Sequence, residues 1–376
     1  MNNDFRIRIF QPIVPEYRVA LFDGLGARYC DRIEIWAAQG SGQDRSYPLS
    51  KMCYDYNHPM RKVGPFVWQK GLSLKGLKKR DVIVVCGDIH QLSSLWIALK
   101  ARLCGVKVVW WGHHRTATST GGAVWLRLSI ARILSTVFLA YTRTGIDYLV
   151  KFGFSGKHVF ATGNTINQEP IKAAVELWTA ERLERFQTEH GIKDKKLLLC
   201  CSVLRSKVKL DLVIRALYSD SLSDVYLAVI GDGTEKAAWQ SLATELGVDN
   251  RIKWIEATRD QMVIAPWFLS AKAFVYPGAI GLSILHSFSY GLPVITHGNV
   301  CHQMPEFEVM EDGKTGLCFH EDDVDDLKRK VTELLLDETR RNTMAEYCRD
   351  MAMGKYSMNQ MVANYCTALE AAHELS

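Results

Sequence analysis

The sequence predicts an α/β protein made of two Rossmann-like domains, each a doubly wound parallel sheet. Three observations carry this. Short β-branched and apolar runs alternate with stretches of helical period along both halves of the chain. The runs fall into two sets, separated by a segment in which the strand rhythm stops. The length, 376 residues, gives each set room to bury its own core. Continuous apolar strands between amphipathic helices belong to parallel sheets covered on both faces.

In the first half the runs are Ile7–Phe10, Ile33–Ala37, Asp81–Cys86, Val106–Trp111, Thr136–Tyr141 and His158–Thr162. In the second they are Leu197–Val203, Tyr226–Ile230, Ile252–Ile255, Ala273–Tyr276, Pro293–Thr296 and Gly316–Phe319. Between them lies a charged helical stretch, Ala173–Gly191, so the expected domains are residues 1–168 and 169–355. After Phe319 the pattern is helical only, in Asp323–Leu336, Glu338–Met353 and Met358–His373. Residues 356–376 are expected to form a helix packing back towards the first domain. In open parallel sheets ligands sit outside the C-terminal strand ends. Two such domains facing a central cleft suit the joining of two reactants, one held by each.

A hydrophobic fraction of 48% and a charged fraction of 23% suit a soluble globular chain. No run reaches the ~18 uncharged apolar residues of a membrane span; the nearest, Val124–Tyr141, carries Arg127 and Arg132. Met1–Phe10 does not read as a signal peptide. The ten cysteines show no C-x-x-C pair, which suits a reducing compartment and argues against a metal site. Residues 1–170 hold 23 Lys+Arg against 11 Asp+Glu (+12), and the remainder 23 against 30 (−7). Arg61, Lys62, Lys70, Lys75, Lys78, Lys79 and Arg80 are interleaved with Phe66 and Trp68. That mixture suits either an anionic membrane surface or a solvated loop. The expected location is the cytoplasm, peripheral at the inner face of the plasma membrane; nucleic acid is not an expected partner.

The densest chemical signal runs from Val275 to Thr296. A strand ends at Pro277-Gly278, a loop with Gly281 opens a helix over Leu282–Tyr290, and Gly291-Leu-Pro293 starts the next strand. Glycines ahead of a helix let backbone N–H groups approach a phosphate or a sugar hydroxyl; alone, they mark only a tight strand-to-helix turn. Upstream, Tyr226-Leu-Ala-Val-Ile-Gly-Asp-Gly233 is a strand ending in a glycine turn.

Together with Leu242–Trp254, Gly291-Leu-Pro-Val-Ile295 and Asp312-Gly-Lys-Thr-Gly-Leu317, these segments resemble the large family four of retaining glycosyltransferases, group 1, of GT-B fold. The first half is similar more loosely, through Trp110-Trp-Gly-His-His-Arg115, Tyr141–Gly153 and Asn164-Thr-Ile. The resemblance implies transfer of a sugar, with retention and without a metal, from a UDP- or GDP-linked donor to a glycan or lipid-linked glycan. It implies a donor site on the second domain, an acceptor site on the first, no cofactor, and a role in surface polysaccharide assembly.

The family's Arg and Lys for the donor diphosphate fall on Val203 and Val208. Arg205, Lys207 and Lys209, displaced by one or two positions, are the candidate substitutes. The family's two glutamates fall on Gly278 and His286, and Glu306 and Glu308 are the nearest carboxylates to replace them. Gly231, Gly278, Ile280, Gly281, Leu282, Ser283, His286 and Glu308 complete the expected donor set, with Glu306 as a catalytic candidate. In the first domain His113 and His114, at a strand end, are the other catalytic candidates. Pro15, Glu16, Tyr17 and Arg18, read as a loop ahead of a helix over Val19–Ala27, are the acceptor candidates. The lost glutamates keep two other readings open: a catalytically inactive relative that binds a nucleotide sugar or scaffolds a partner transferase, and a nucleotide-sugar epimerase.

Overall fold

The computed structural model describes residues 5–42, 44–113 and 121–375. They divide into two compact units: Met1–Thr165 with Met358–Ser376, and Ile166–Ser357.

The strands of the first unit are β1 (Ile7–Phe10), β2 (Ile33–Trp36), β3 (Gly40–Ser41), β4 (Asp44–Arg45), β5 (Cys53–Asp55), β6 (Met60–Val63), β7 (Phe66–Gln69), β8 (Val82–Cys86), β9 (Lys107–Gly112), β10 (Val137–Ala140) and β11 (Val159–Ala161). Seven of them form a parallel sheet in the order β11-β10-β9-β8-β1-β2-β5. The helices are α1 (Glu16–Tyr29), α2 (Leu92–Leu103), α3 (Gly121–Leu134) and α4 (Arg143–Phe152). Side chains alternate across the sheet. Ile7, Ile9, Val109 and Trp111 enter one core, whereas Phe10, Val108 and Trp110 enter the core on the opposite face.

The second unit holds a six-stranded parallel sheet, β14-β13-β12-β15-β16-β17. Its strands are β12 (Lys196–Cys201), β13 (Val225–Ile230), β14 (Ile252–Ile255), β15 (Ala273–Val275), β16 (Val294–His297) and β17 (Gly316–Phe319). Eight helices surround it: α5 (Glu169–Leu177), α6 (Ala180–Glu189), α7 (Asp211–Leu217), α8 (Lys236–Glu245), α9 (Gln261–Ser270), α10 (Ser283–Ser289), α11 (Val324–Leu336) and α12 (Glu338–Asp350). The last helix, α13 (Met358–Glu374), belongs to the first unit and lays Met361, Tyr365, Leu369 and Ala372 on the Trp111 face of its sheet.

Two Rossmann-like α/β domains are therefore present, as the strand rhythm predicts. Three local expectations differ. α1 begins at Glu16 rather than Val19, because Pro15 takes the extended N-cap position and an acid suits the first turn. The stretch read as one helix over Ala173–Gly191 breaks at Trp178, and Thr179 caps the second piece through the Arg182 N–H. The basic–aromatic segment contains an antiparallel hairpin, β6 with β7. Leu369 is fully buried, so Leu369→Ala should cost about 2–5 kcal/mol. Chemical denaturation should show it as an earlier midpoint for the unfolding of the first unit.

Candidate active site

The central strands of the second sheet, β13, β12 and β15, end side by side, and the loops that leave them are joined backbone to backbone. The Leu204 N–H donates to the Asp232 carbonyl (2.9 Å) and the Glu235 N–H to the Leu204 carbonyl (3.1 Å). The Gly278 N–H donates to the Val208 carbonyl (3.0 Å) and the Ala279 N–H to the Lys207 carbonyl (3.1 Å). Such approach excludes side chains. A Cβ on Gly231 would lie 2.0 Å from the Ser202 carbonyl oxygen, and one on Gly278 1.9 Å from that of Lys207. The position where the resemblance has its first glutamate thus has no room for one.

Of the three cation candidates, two are available. Arg205 and Lys207 are exposed and, among the described residues, form no ion pair. Lys209 is committed: its Nζ lies 2.7 Å from Asp322 Oδ1 and 3.2 Å from Glu321 Oε1. Burial lowers the Lys209 pKa, but the hydrogen bonds it donates to these two carboxylates outweigh it and raise the value. Glu321 also takes His302 Nδ1 (2.7 Å) and Asn299 Nδ2 (2.7 Å) on its other oxygen. Burial pushes the Glu321 pKa up, yet the donors from His302, Asn299 and Lys209 prevail and bring it to about 2. Val203 is exposed and Val208 fully buried.

The turn Pro277–Leu282 is pinned from below. The Ile280 N–H donates to Gln303 Oε1 (2.8 Å), whose Nε2 in turn donates to Thr296 Oγ1 (3.1 Å) and the His297 carbonyl (2.8 Å). A 3₁₀ turn, Pro305–Val309, then brings Glu306 to the Gly-rich loop: its Oε2 lies 3.8 Å from where a Cβ on Gly281 would stand. Glu306 is buried and Glu308 part-buried. Leu282 caps α10, and the Ser283 hydroxyl donates to the Cys201 carbonyl (3.4 Å), tying that helix to the end of β12. His286 packs against Phe268 (ring centroids 4.7 Å), with Nε2 3.0 Å from Gln261 Oε1. Burial lowers its pKa to about 4, so it is neutral at physiological pH. Gln303, Glu321 and Asn299 are the residues that sequence reasoning passed over. Gln303 sits inside the His302–Glu308 segment already marked by its carboxylates, whereas Glu321 carries no local signal.

In the first unit, His113 follows β9 and its ring lies 4.4 Å from that of Tyr141. Tyr141 is also one of the rings around the Arg18 guanidinium (5.3 Å). The structure therefore gathers Arg18 and His113 around one tyrosine. Arg18 is buried, whereas Glu16 and Tyr17 on the same first turn of α1 are exposed. Pro15 is the N-cap. His114 lies outside the described residues.

Residues 183–351 match the family model "Glycosyl transferases group 1". They form a group 1 glycosyl transferase domain. The loops, cations and Gly-rich turn described for the second unit all lie within this transferase domain. Among curated proteins, the chain is similar to the lipopolysaccharide core biosynthesis glycosyltransferase LpsE of Rhizobium meliloti, at 29% identity over 39% of this chain and 42% of that one. It is also similar to the GDP-mannose-dependent alpha-(1-6)-phosphatidylinositol monomannoside mannosyltransferase of Mycolicibacterium smegmatis, at 26% identity over 50% of this chain and 52% of that one. The chain spans about half the length of these curated relatives. Among solved structures, a glycosyltransferase from Rickettsia africae superposes with a TM-score of 0.74 at 14% identity, covering 100% of both chains. HepE from Anabaena in complex with UDP does so at 0.73 and 13%, covering 97% of this chain and 100% of that one. These likenesses carry the fold, which is GT-B.

The Lys209–Glu321 network of the transferase domain makes stability pH-dependent. The Glu321 pKa is lowered in the folded state, so its contribution is complete above the ordinary carboxylate value of about 4.3. It is lost as pH falls towards about 2. Between these limits, wild type should lose melting temperature more steeply than Glu321→Gln; parallel curves on a pH series of thermal melts would remove the network from the account.

Proposed function

We propose that this chain transfers a sugar from a UDP- or GDP-linked donor to a glycan or lipid-linked glycan acceptor during surface polysaccharide assembly, with retention and without a metal ion. The observation that carries this reading is the pair of uncommitted cations, Arg205 and Lys207, on a loop whose backbone is bonded to the Gly278–Ala279 turn. A sugar leaves its donor as a nucleoside diphosphate, and the charge that grows on the departing oxygen needs fixed cations and backbone N–H groups. Glu306, beside Gly281, supplies the carboxylate that Gly278 cannot. His113 serves as the hydrogen-bonding or proton-carrying group in the first unit. The names of two relatives and one structure support the same chemistry: lipopolysaccharide core biosynthesis, GDP-mannose dependence, and a complex with UDP.

A second reading, a catalytically inactive relative that binds a nucleotide sugar, draws on Val203, Val208, Gly278 and His286 standing where the family has charged residues. Turnover separates the two. With a panel of nucleotide sugars, slow donor hydrolysis that persists in EDTA is expected; binding without hydrolysis would favour the inactive relative. Arg205→Ala and Lys207→Ala should each weaken nucleoside-diphosphate binding about tenfold by calorimetry. Unchanged affinity in both would move the diphosphate elsewhere.

The proposed place of action is the cytoplasmic membrane surface. No helix among the described residues is long and apolar enough to cross a bilayer. The β6–β7 hairpin exposes Met60, Val63, Phe66 and Trp68, and α2 exposes Trp96, Leu99 and Leu103 along one side. Trp68 and Trp96 lie 6.1 Å apart, and Lys100 Nζ sits 5.1 Å over the Trp96 ring. Aromatic residues ringed by Lys and Arg suit an anionic interface. In flotation with vesicles rich in anionic phospholipid, the protein should float at low salt, less at high salt, and less again as Trp68→Ala. Failure to float at low salt would confine the acceptor to soluble glycans.

A further inference from the structure

Arg18 carries a charge that no carboxylate among the described residues balances. Its side chain is 6% exposed, and its Nη1 is enclosed with no hydrogen-bond acceptor. Among the described residues no carboxylate lies within ion-pair distance of it. Its neighbours are rings: the guanidinium carbon stands 4.7 Å over Trp111, 5.1 Å over Tyr17 and 5.3 Å over Tyr141. Ring faces attract a cation, but they accept no directed hydrogen bond and return only part of the lost hydration.

The unmet donors do not stop there. Trp111 is in edge contact with Tyr365 of α13 (centroids 5.1 Å, 84°). Among the described residues, the Trp111 Nε1 and the Tyr365 hydroxyl are also buried without a hydrogen-bond partner. Three adjoining side chains from α1, β9 and α13 thus each hold a buried polar group with nothing to bond. Native interiors satisfy such groups almost without exception, and a cluster of them marks the place of something that supplies acceptors. A guanidinium with an indole N–H and a phenol beside it is a donor set for an oxyanion. The ring of Tyr141 lies between Arg18 and His113.

We propose that Arg18, with Trp111 and Tyr365, forms an oxyanion subsite in the first unit that seats a phosphate or carboxylate group carried by the acceptor. This rests on the glycosyltransferase reading, in which the acceptor occupies the first unit. It narrows the acceptor to one with an anionic group close to the hydroxyl that is glycosylated.

The test is a titration of full-length, ¹⁵N-labelled protein, followed at the Trp111 indole N–H and assigned with Trp111→Phe. Inorganic phosphate and acetate, added at constant ionic strength, serve as probes for phosphate-borne and carboxylate-borne anions. At least one should shift the Trp111 resonance saturably, with the other weaker. Arg18→Gln should abolish the shift, Arg18→Lys should retain it with about tenfold weaker binding, and Arg205→Ala should leave it in place. No saturable shift in wild type with either anion would overturn the subsite and leave the three donors to bound water. A shift produced by UDP or GDP alone, lost in Arg18→Gln, would assign the anion to the donor and overturn the acceptor assignment. Donor hydrolysis, measured separately, keeps the two readings apart: hydrolysis without an anion response sinks the subsite alone, and an anion response without hydrolysis leaves an oxyanion site but sinks the transferase reading and the acceptor assignment with it.

Discussion

Backbone-to-backbone contact at the rim of the second sheet is the constraint on which the rest of this site depends. Carbonyl oxygens of the loop after β12 occupy the space where residues 231 and 278 would place a Cβ. Glycine is therefore a condition of closure, and closure is what aligns the loops after β12, β13 and β15. Once the Gly278 and Ala279 N–H groups are spent on Val208 and Lys207 carbonyls, the turn has one geometry. Gln303 fixes it from the other side by taking the Ile280 N–H. A rim built this way offers a ligand a surface that needs little reordering on binding.

The charges on that rim divide by whether they are compensated. Lys209 is offset by two carboxylates, one of them held as an anion down to about pH 2 by three donors, so its positive charge is already answered within the protein. Arg205 and Lys207 are exposed and answer to nothing among the described residues. A phosphate arriving at Lys209 would compete with carboxylates 2.7 and 3.2 Å away, whereas at Arg205 it would displace only water. Attraction of about 1 kcal/mol for an exposed pair would grow several-fold if a bound anionic ligand excluded water. The loop 202–208 thus supplies fixed backbone from its buried residues and uncompensated charge from its exposed ones.

How far the sequence revealed this differs by element. Twelve of the thirteen strands of the two large sheets read directly from apolar runs such as Leu197–Val203, because most of their positions are buried, whereas β5 (Cys53–Asp55), an edge strand with little burial, carries no such run. The β6–β7 hairpin is hidden: most of its residues are exposed, so no burial pattern marks it, and Arg61-Lys62 beside Phe66 and Trp68 looks like a loop. The start of α1 is hidden because Arg18 is buried, whereas a charged residue just after Pro15 suits a projecting loop. Glu306 was legible as a loop carboxylate, and the structure places it at Gly281. The commitment of Lys209 was not, since Glu321 and Asp322 lie more than a hundred residues away and only the closing of β12 onto β15, β16 and β17 brings them together.

The Gly-rich turn of the second unit and the surroundings of Arg18 in the first treat buried polar groups in opposite ways. In the second, Gln303 completes its hydrogen bonds within the protein, so the Gly-rich turn is finished before any ligand arrives. In the first, Arg18, Trp111 and Tyr365 each keep a buried donor unanswered. Cation–π contacts recover about 0.5–2 kcal/mol, against an effective penalty of several kcal/mol for burying a charge. That deficit is tolerable because sheet and helix packing around Trp111 and Tyr365 holds the groups in place. A ligand bringing acceptors to these donors would regain what folding gave up, and on the proposed reading selectivity in the first unit would come from these unmet donors. On that reading an acceptor without an anion would leave the deficit standing, and the same uncompensated guanidinium would favour an anionic acceptor over a neutral one.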